Sequence, residues 1–459
     1  MSHNTVVQPR SMRTFMTIWV GQLISILGSG LTNFGLAVWI FQETGEATPF
    51  ALTVLFGSVP RILLAPIAGA VVDRWNRRWV MIISDTVNVL LTIAAILLFA
   101  SGQLAIWHIY LLAAVTAVLQ AFQEPAYTAS VTMLVPKEEL GRANGLVQMG
   151  QALGMLVSPL LAGILFGVVG LRGIFLIDFI SYFFAIAALL FVHIPQPERS
   201  QNATDEEAKA SLWQDALFGW HYLRERTGLF NLLLFFALVN FCLNFAAVLL
   251  GPLVLSFATP TAFGTIQAVG GVGMLVGSIV MSSWGGPKGR VVPAVIGFIG
   301  VAAIGLTIAG LQASAWVVGL GLFVLMFSVP LGGGISQTIF QRKVAADVQG
   351  RVFAIRGMIS QSAMPLAFLL AGPLADQIFE PLFLEGGAWS NTFFGSGAGR
   401  GIGFLLVSSG LILLVATIIV FLNPRVRHLE DELPDVLPDD IDDAEADVME
   451  AGTAVHQPA

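Results

Sequence analysis

The chain is poor in cysteine, in charge and in clustered histidine, and each shortage removes a class of protein. One cysteine, Cys242, allows no internal disulfide and no thiolate metal cluster. Six histidines (His3, His108, His193, His221, His428 and His456) lie scattered, without the spacing of metal ligands, so no metal site is expected. The glycine-rich stretch Gly332-Gly333-Gly334 lacks the lysine of a phosphate-binding loop, so no nucleotide site is expected either. An enzyme working inside the membrane would need a catalytic His, Ser or metal cluster in its apolar runs, and none is visible. No enzyme activity, cofactor or nucleic-acid partner is expected. Charged residues make up only 11% of the 459, and much of the acidic share sits after Pro424, between Glu430 and Glu450. The formal charge of −7 therefore describes a tail more than a body.

Apolar residues, by contrast, reach 56%, with a mean hydropathy of +0.81. A soluble fold cannot hide that much apolar surface, so lipid must be the solvent for most of the chain. A helix needs about 20 apolar residues to cross ~30 Å of hydrocarbon. About twelve such runs lie between Phe15 and Leu422, and the first, Phe15–Phe41, is too long for a cleaved signal. The expected fold class is an all-α membrane protein of about twelve transmembrane helices in two pseudo-symmetric six-helix bundles.

Charge orients the helices. The burst Asp73-Arg74-Trp75-Asn76-Arg77-Arg78 separates two long apolar runs. One charge at the bilayer centre costs about 2.5–3.5 kcal/mol on insertion scales, so this loop belongs at a membrane surface. Short Arg-rich loops stay cytoplasmic. With the N-terminus inside, 18 of the 22 basic residues fall on the cytoplasmic side. Only Arg172 and Arg400 fall outside, while Arg61 and Arg356 lie in or close to spans. Both termini are expected in the cytoplasm.

Five segments follow. Residues 1–14 form a cytoplasmic tail, 15–193 a six-helix bundle, and 194–228 a linker ending in an interfacial amphipathic helix. Residues 229–422 form the second bundle and 423–459 an acidic, disordered tail. The halves echo each other. Gly141-Arg142 follows the fourth span and Gly350-Arg351 the tenth; the first loop has its counterpart in Trp284-Gly-Gly-Pro-Lys288-Gly-Arg290. Such a duplication suits two bundles that rock around a midplane site.

Four stretches carry a family resemblance. Gly69, Asp73, Arg74, Arg77 and Arg78 match a loop signature between spans two and three. Gly154-x-x-x-Ser158-Pro159-x-x-Ala162-Gly163 is similar to a fifth-span signature of proton-driven exporters, with two glycines replaced by Ser158 and Ala162. Ser58-Val-Pro-Arg61 and Phe175-Leu-Ile-Asp178-Phe look like the macrolide-efflux and siderophore-exporter branch. The chain thus resembles the major facilitator superfamily. The resemblance implies secondary export of an amphipathic molecule, macrolide-like or siderophore-like, by alternating access and proton antiport. It implies a monomer in the bacterial plasma membrane, with a small-molecule substrate, protons and the lipid bilayer as partners. The first signature becomes a gating loop that closes the cytoplasmic side. In one departure, the arginine that many proton-coupled exporters carry in span four is missing. A lysophospholipid flippase or an uncoupled facilitator of the same fold is the alternative that this departure suits.

Polar residues within spans are functional candidates. Arg61 cannot lose its proton and needs a carboxylate or water; Glu124 and Asp178 are both candidates for it. Glu124, beside Pro125 with Gln120, Gln123 and Tyr127 nearby, is the expected proton-exchanging group, and Asp178 the second choice. Asp85 is expected to pair with the arginine loop. Spans one, four, seven and ten line the cavity in the family. This makes Gln22, Asn33, Gln120, Asn240, Asn244 and Gln337 cavity candidates, with Gln123 and Tyr127 beside them. Gly154, Ser158, Pro159 and Gly163 read as a close-packing strip. The Pro330-Leu-Gly-Gly-Gly stretch is expected to break the tenth helix.

Overall fold

The computed structural model describes residues 11–136, 139–192, 220–287, 290–344, 349–384, 397–427 and 429. The linker with most of its amphipathic helix (193–219) and the acidic tail beyond 429 lie outside the described residues. So do residues 1–10 and the side chains of Asp73 and Arg74. Among the described residues, eleven helices are long and apolar enough to cross a membrane. One of them, Leu140–Phe191, has 52 residues, about 78 Å at 1.5 Å per residue and more than twice a bilayer core. Gly170 interrupts it with φ 64° and ψ −174°, a conformation open essentially to glycine alone. The chain turns back there. Along the first helix, α1 (Met12–Thr44), Gly150 lies by Trp19 and Ser158 by Gly30, whereas Ile174 lies by Gly35 and Ala185 by Gly21. The limb before Gly170 therefore runs parallel to α1 and the limb after it antiparallel. The single long helix is two spans, and the crossings among the described residues number twelve.

In chain order the spans are α1 (Met12–Thr44), α2 (Ala47–Arg74), α3 (Arg77–Ala100), α4 (Ile106–Leu134), α5 (140–169) and α6 (171–191). Then come α7 (Thr227–Leu255), α8 (Pro260–Trp284), α9 (Val291–Leu311), α10 (Ala315–Lys343), the composite α11 (349–384) and α12 (Arg400–Leu422). Helix α11 contains a widened π turn at Leu374–Phe379. Helix α10 is continuous from Ala315 to Lys343, which corrects the expected break at Pro330. A proline removes one backbone bond, and neighbouring helices hold the rest of the ladder. Gly277 of α8 lets the Phe327 carbonyl and the Pro330 ring approach closely, so these small residues serve helix contact.

Tryptophans frame the hydrocarbon. Trp75, Trp79 and Trp284 stand exposed at one end of the molecule and Trp107 and Trp316 at the other, as interfacial anchors do. The end that bears the 74–77 loop is the terminal face, because twelve crossings bring α1's start and α12's finish to the same side.

Packing differs sharply between the two ends. Toward the opposite face, Leu31, Phe34, Val38, Ala47 and Ala51 share one core with Val248, Leu249, Leu253 and Phe263 of the second half. Toward the terminal face the cores are separate. Phe15, Ile18, Val72, Met81 and Val131 form one, and Leu229, Leu232, Val295, Ile339 and Val352 another. The two halves are joined at one end and parted at the other.

Candidate functional site

Helix α2 carries Arg61 and α4 carries Glu124, 63 residues away. Arg61 Nη1 donates to Glu124 Oε2 at 3.3 Å. This settles between the two carboxylates proposed for the arginine: Glu124 is the partner and Asp178 is not. The side chains are 45% and 57% exposed. Charge that exposed and this far from either helix end cannot face hydrocarbon, so the pair borders an aqueous space. One turn back toward the opposite face on the same helices, Gly57, Ser58 and Gln120 line a cavity of about 230 Å³ within the first bundle. Ser29, Thr32 and Asn33 of α1, Asn88 and Thr92 of α3, and Asp178 and Tyr182 of α6 add to its polar wall.

Asp178 is buried and held by neutral hydroxyls. Thr32 Oγ1 donates to Oδ2 at 2.8 Å, and Ser29 Oγ and Ser181 Oγ reach Oδ1 at 3.4 and 3.5 Å. Tyr182 Oη meets Ser29 Oγ at 2.9 Å, which extends the network.

Asp85 departs from its expected role. Its carboxylate accepts from Gln123 Nε2 at 2.7 Å and Gln22 Nε2 at 3.4 Å, and is 1% exposed. Arg77 and Arg78 look elsewhere, to backbone carbonyls toward the terminal-face ends of α4 and α6. Arg77 Nη1 donates to the Ala129 carbonyl at 3.1 Å. Arg78 donates through Nε and Nη2 to those of Leu189 and Leu190, both at 2.7 Å. Cations at helix C-termini also answer the helix dipole. Asn76 caps α3 by accepting from the Trp79 N–H at 3.3 Å. The loop thus ties α3 to α4 and α6 within one bundle.

The cavity candidates divide. Asn33 and Gln120 line the first-bundle cavity. Asn240, Asn244 and Gln337 line a larger one of about 500 Å³ in the second bundle. Gln22 and Gln123 are committed to Asp85 and line neither cavity, and Tyr127 packs against the terminal-face core of the first bundle. The fifth-span strip does close-packing work on both sides. Ser158 Oγ donates to the Leu27 carbonyl of α1 at 3.3 Å. A Cβ on Gly163 would stand 2.8 Å from the Pro260 carbonyl of α8, and one on Gly264 would run into the Pro159 carbonyl. Thr261 Oγ1 donates to the Gly163 carbonyl at 2.9 Å.

Sequence reasoning missed a polar link between the halves. Asp376, in the π turn of α11, accepts from the Ala47 N–H at 2.8 Å, the Thr48 N–H at 2.7 Å and Thr48 Oγ1 at 2.5 Å. It caps α2 from the other bundle. Helix α2 has no side-chain cap of its own, since Glu46 at that position bonds none of its N–H groups. The signal in the sequence was a lone aspartate near one end of an apolar run, with nothing to name its partner.

The sequence profile of the Major Facilitator Superfamily matches residues 18–368. The chain belongs to this superfamily. It is a membrane-embedded secondary transporter and not an enzyme. Macrolide efflux protein A of Streptococcus pyogenes is 28% identical over 372 residues, covering 79% of this chain and 90% of that protein. Multidrug efflux pump Tap of Mycolicibacterium fortuitum is 28% identical over 419 residues, 88% of this chain and 94% of the other. Among solved structures, a bacterial homologue of the human lysosomal transporter Spinster superposes with a TM-score of 0.67. It has 14% identity and covers 92% of this chain and 98% of its own, a likeness of fold.

Proposed function

We propose that this major facilitator superfamily member exports amphipathic small molecules, macrolide-like or siderophore-like, from the bacterial cytoplasm by proton antiport. The bias of basic residues to the terminal face supports placing that face, with both termini, in the cytoplasm. The molecule, parted at that face and joined at the other, is then in its inward-open state. Alternating access requires the joined end to open and the parted end to close around the midplane.

The Arg61–Glu124 pair carries this reading. A carboxylate that borders an aqueous space can trade the fixed cation it holds for a proton from the medium. Protonation of Glu124 releases Arg61, and loss of the proton restores the pair, which makes two states of one wall. The relatives named as efflux pumps support export as the direction.

The test is efflux from cells expressing wild type or Glu124→Gln, over a panel of macrolides, dyes and siderophores, with and without a protonophore. Export by the wild type that stops with the protonophore and is lost in Glu124→Gln is the expected result. Export that survives both overturns proton coupling through Glu124 and favours a flippase or facilitator of the same fold.

A further inference from the structure

The second-bundle cavity is bounded by α7, α10 and α11, and the charged side chain on its wall is Arg356. Seven residues into α11 from Gln349, it lies about 10 Å along the helix from the terminal face. Its bonded neighbours among the described residues are neutral. Nη1 donates to Gln337 Oε1 at 2.8 Å and Nη2 to Ser336 Oγ at 2.9 Å, while the guanidinium carbon stands 4.1 Å from the centre of the Phe340 ring. Among the described residues the ion pair formed is Arg61–Glu124, and Arg356 has no carboxylate within ion-pair reach. A guanidinium has five N–H donors in a planar fork, and two here are engaged. Gln337 and Ser336 hold the fork in place and leave the others to the cavity.

An arginine kept at membrane depth without a countercharge is costly and marks a ligand or ion path. Two other arginines of the spans, the half-exposed Arg61 and the buried Arg400, have partners. Arg61 is neutralised by Glu124, and Arg400 donates to the Leu311 carbonyl at the end of α9. Around Arg356 the wall is mixed: Asn240, Asn244 and Gln361 are polar, and Phe236, Phe353 and Met364 are apolar.

We infer that this wall binds the carboxylate of an amphipathic substrate, with Arg356 forked onto its two oxygens and the apolar part lying over Phe236, Phe353 and Met364. The inference rests on the proposed export function and narrows its substrates to carboxylate-bearing amphiphiles, setting macrolide-like bases aside. A planar guanidinium matches a carboxylate through two parallel bonds, which an ester or an amine cannot make. A basic compound gains nothing from this wall.

The probes are dansyl-undecanoic acid and its methyl ester. Binding is read by fluorescence anisotropy on full-length protein in a neutral maltoside detergent. The wild type should bind the acid about tenfold or more tightly than the ester. Arg356→Gln should weaken the acid by about that factor and leave the ester unchanged; Arg356→Lys, which keeps the charge without the fork, should fall between. Ser360 lines the same cavity one turn along α11, so Ser360→Glu offers an internal carboxylate to Arg356 and should erase the preference with the arginine still present. Equal binding of acid and ester by the wild type overturns the inference. So does an equal loss of both probes in Arg356→Gln, or a preference that survives Ser360→Glu. Efflux of the same probes from cells separates the two readings. Acid selectivity without efflux supports the site and overturns export, whereas efflux of both probes without selectivity overturns the site and leaves export standing.

Discussion

Asp376→Asn should open the joined face of the molecule. Its carboxylate receives two backbone N–H groups and a hydroxyl from the first turn of α2. Those donors have no substitute, because α2 lacks a side-chain cap of its own. A hydrogen bond to a charged group is worth ~1.5–3 kcal/mol net, against ~1 kcal/mol for a neutral one. Asparagine keeps one acceptor oxygen but turns an amide N–H₂ toward donors, so at least one bond is lost and the rest are weakened. The charge that favoured the positive helix end is gone as well. A loss of about 2 kcal/mol in the joined state is a change of about thirtyfold in the ratio of closed to open at that face. The shift is read by electron–electron double resonance between nitroxides on Glu43→Cys and Ala313→Cys, exposed sites at the opposite-face ends of the two bundles, with Cys242 replaced by alanine. The distance distribution of the parent should gain a longer component in Asp376→Asn and in Thr48→Val, the larger change in the first. An unchanged distribution in both variants would refute the reasoning and show that the shared apolar core alone holds the halves together.

Gly264→Val should act on the same joint from its other side, since any side chain there meets the Pro159 backbone of α5. Overpacking of that kind costs ~1–3 kcal/mol, read as a lower thermal unfolding midpoint together with a longer opposite-face distance. At Asp85 the outcome depends on what replaces the carboxylate. Asparagine keeps an acceptor for one of the two glutamine amides, whereas Asp85→Leu leaves Gln22 and Gln123 without theirs and should cost ~1–3 kcal/mol for each buried donor. Thermal unfolding in detergent should therefore rank wild type above Asp85→Asn and Asp85→Leu lowest; equal midpoints for the two variants would show that the glutamines find other partners.

What the sequence by itself determined was the solvent, the number of crossings and the family. Transfer into lipid is a local and nearly additive property of each run, so the lengths of the apolar stretches count the spans without knowledge of their neighbours. The fifth-span strip was legible for the same kind of reason: small residues four apart mark a face that another backbone approaches. Rotation and depth about the bundle axes were not legible, because they depend on which helices meet. Arg61 had two possible carboxylates, and the register of α2 against α4 selected Glu124. Asp85 was read as the partner of nearby arginines. Instead, helix ends drew Arg77 and Arg78 to backbone carbonyls, and two glutamines closed on the carboxylate. Asp376 and Thr48 are 328 residues apart, a pairing that no local pattern encodes. The joining of the halves at one face belongs to tertiary structure alone, since it is a choice between two packings of the same helices.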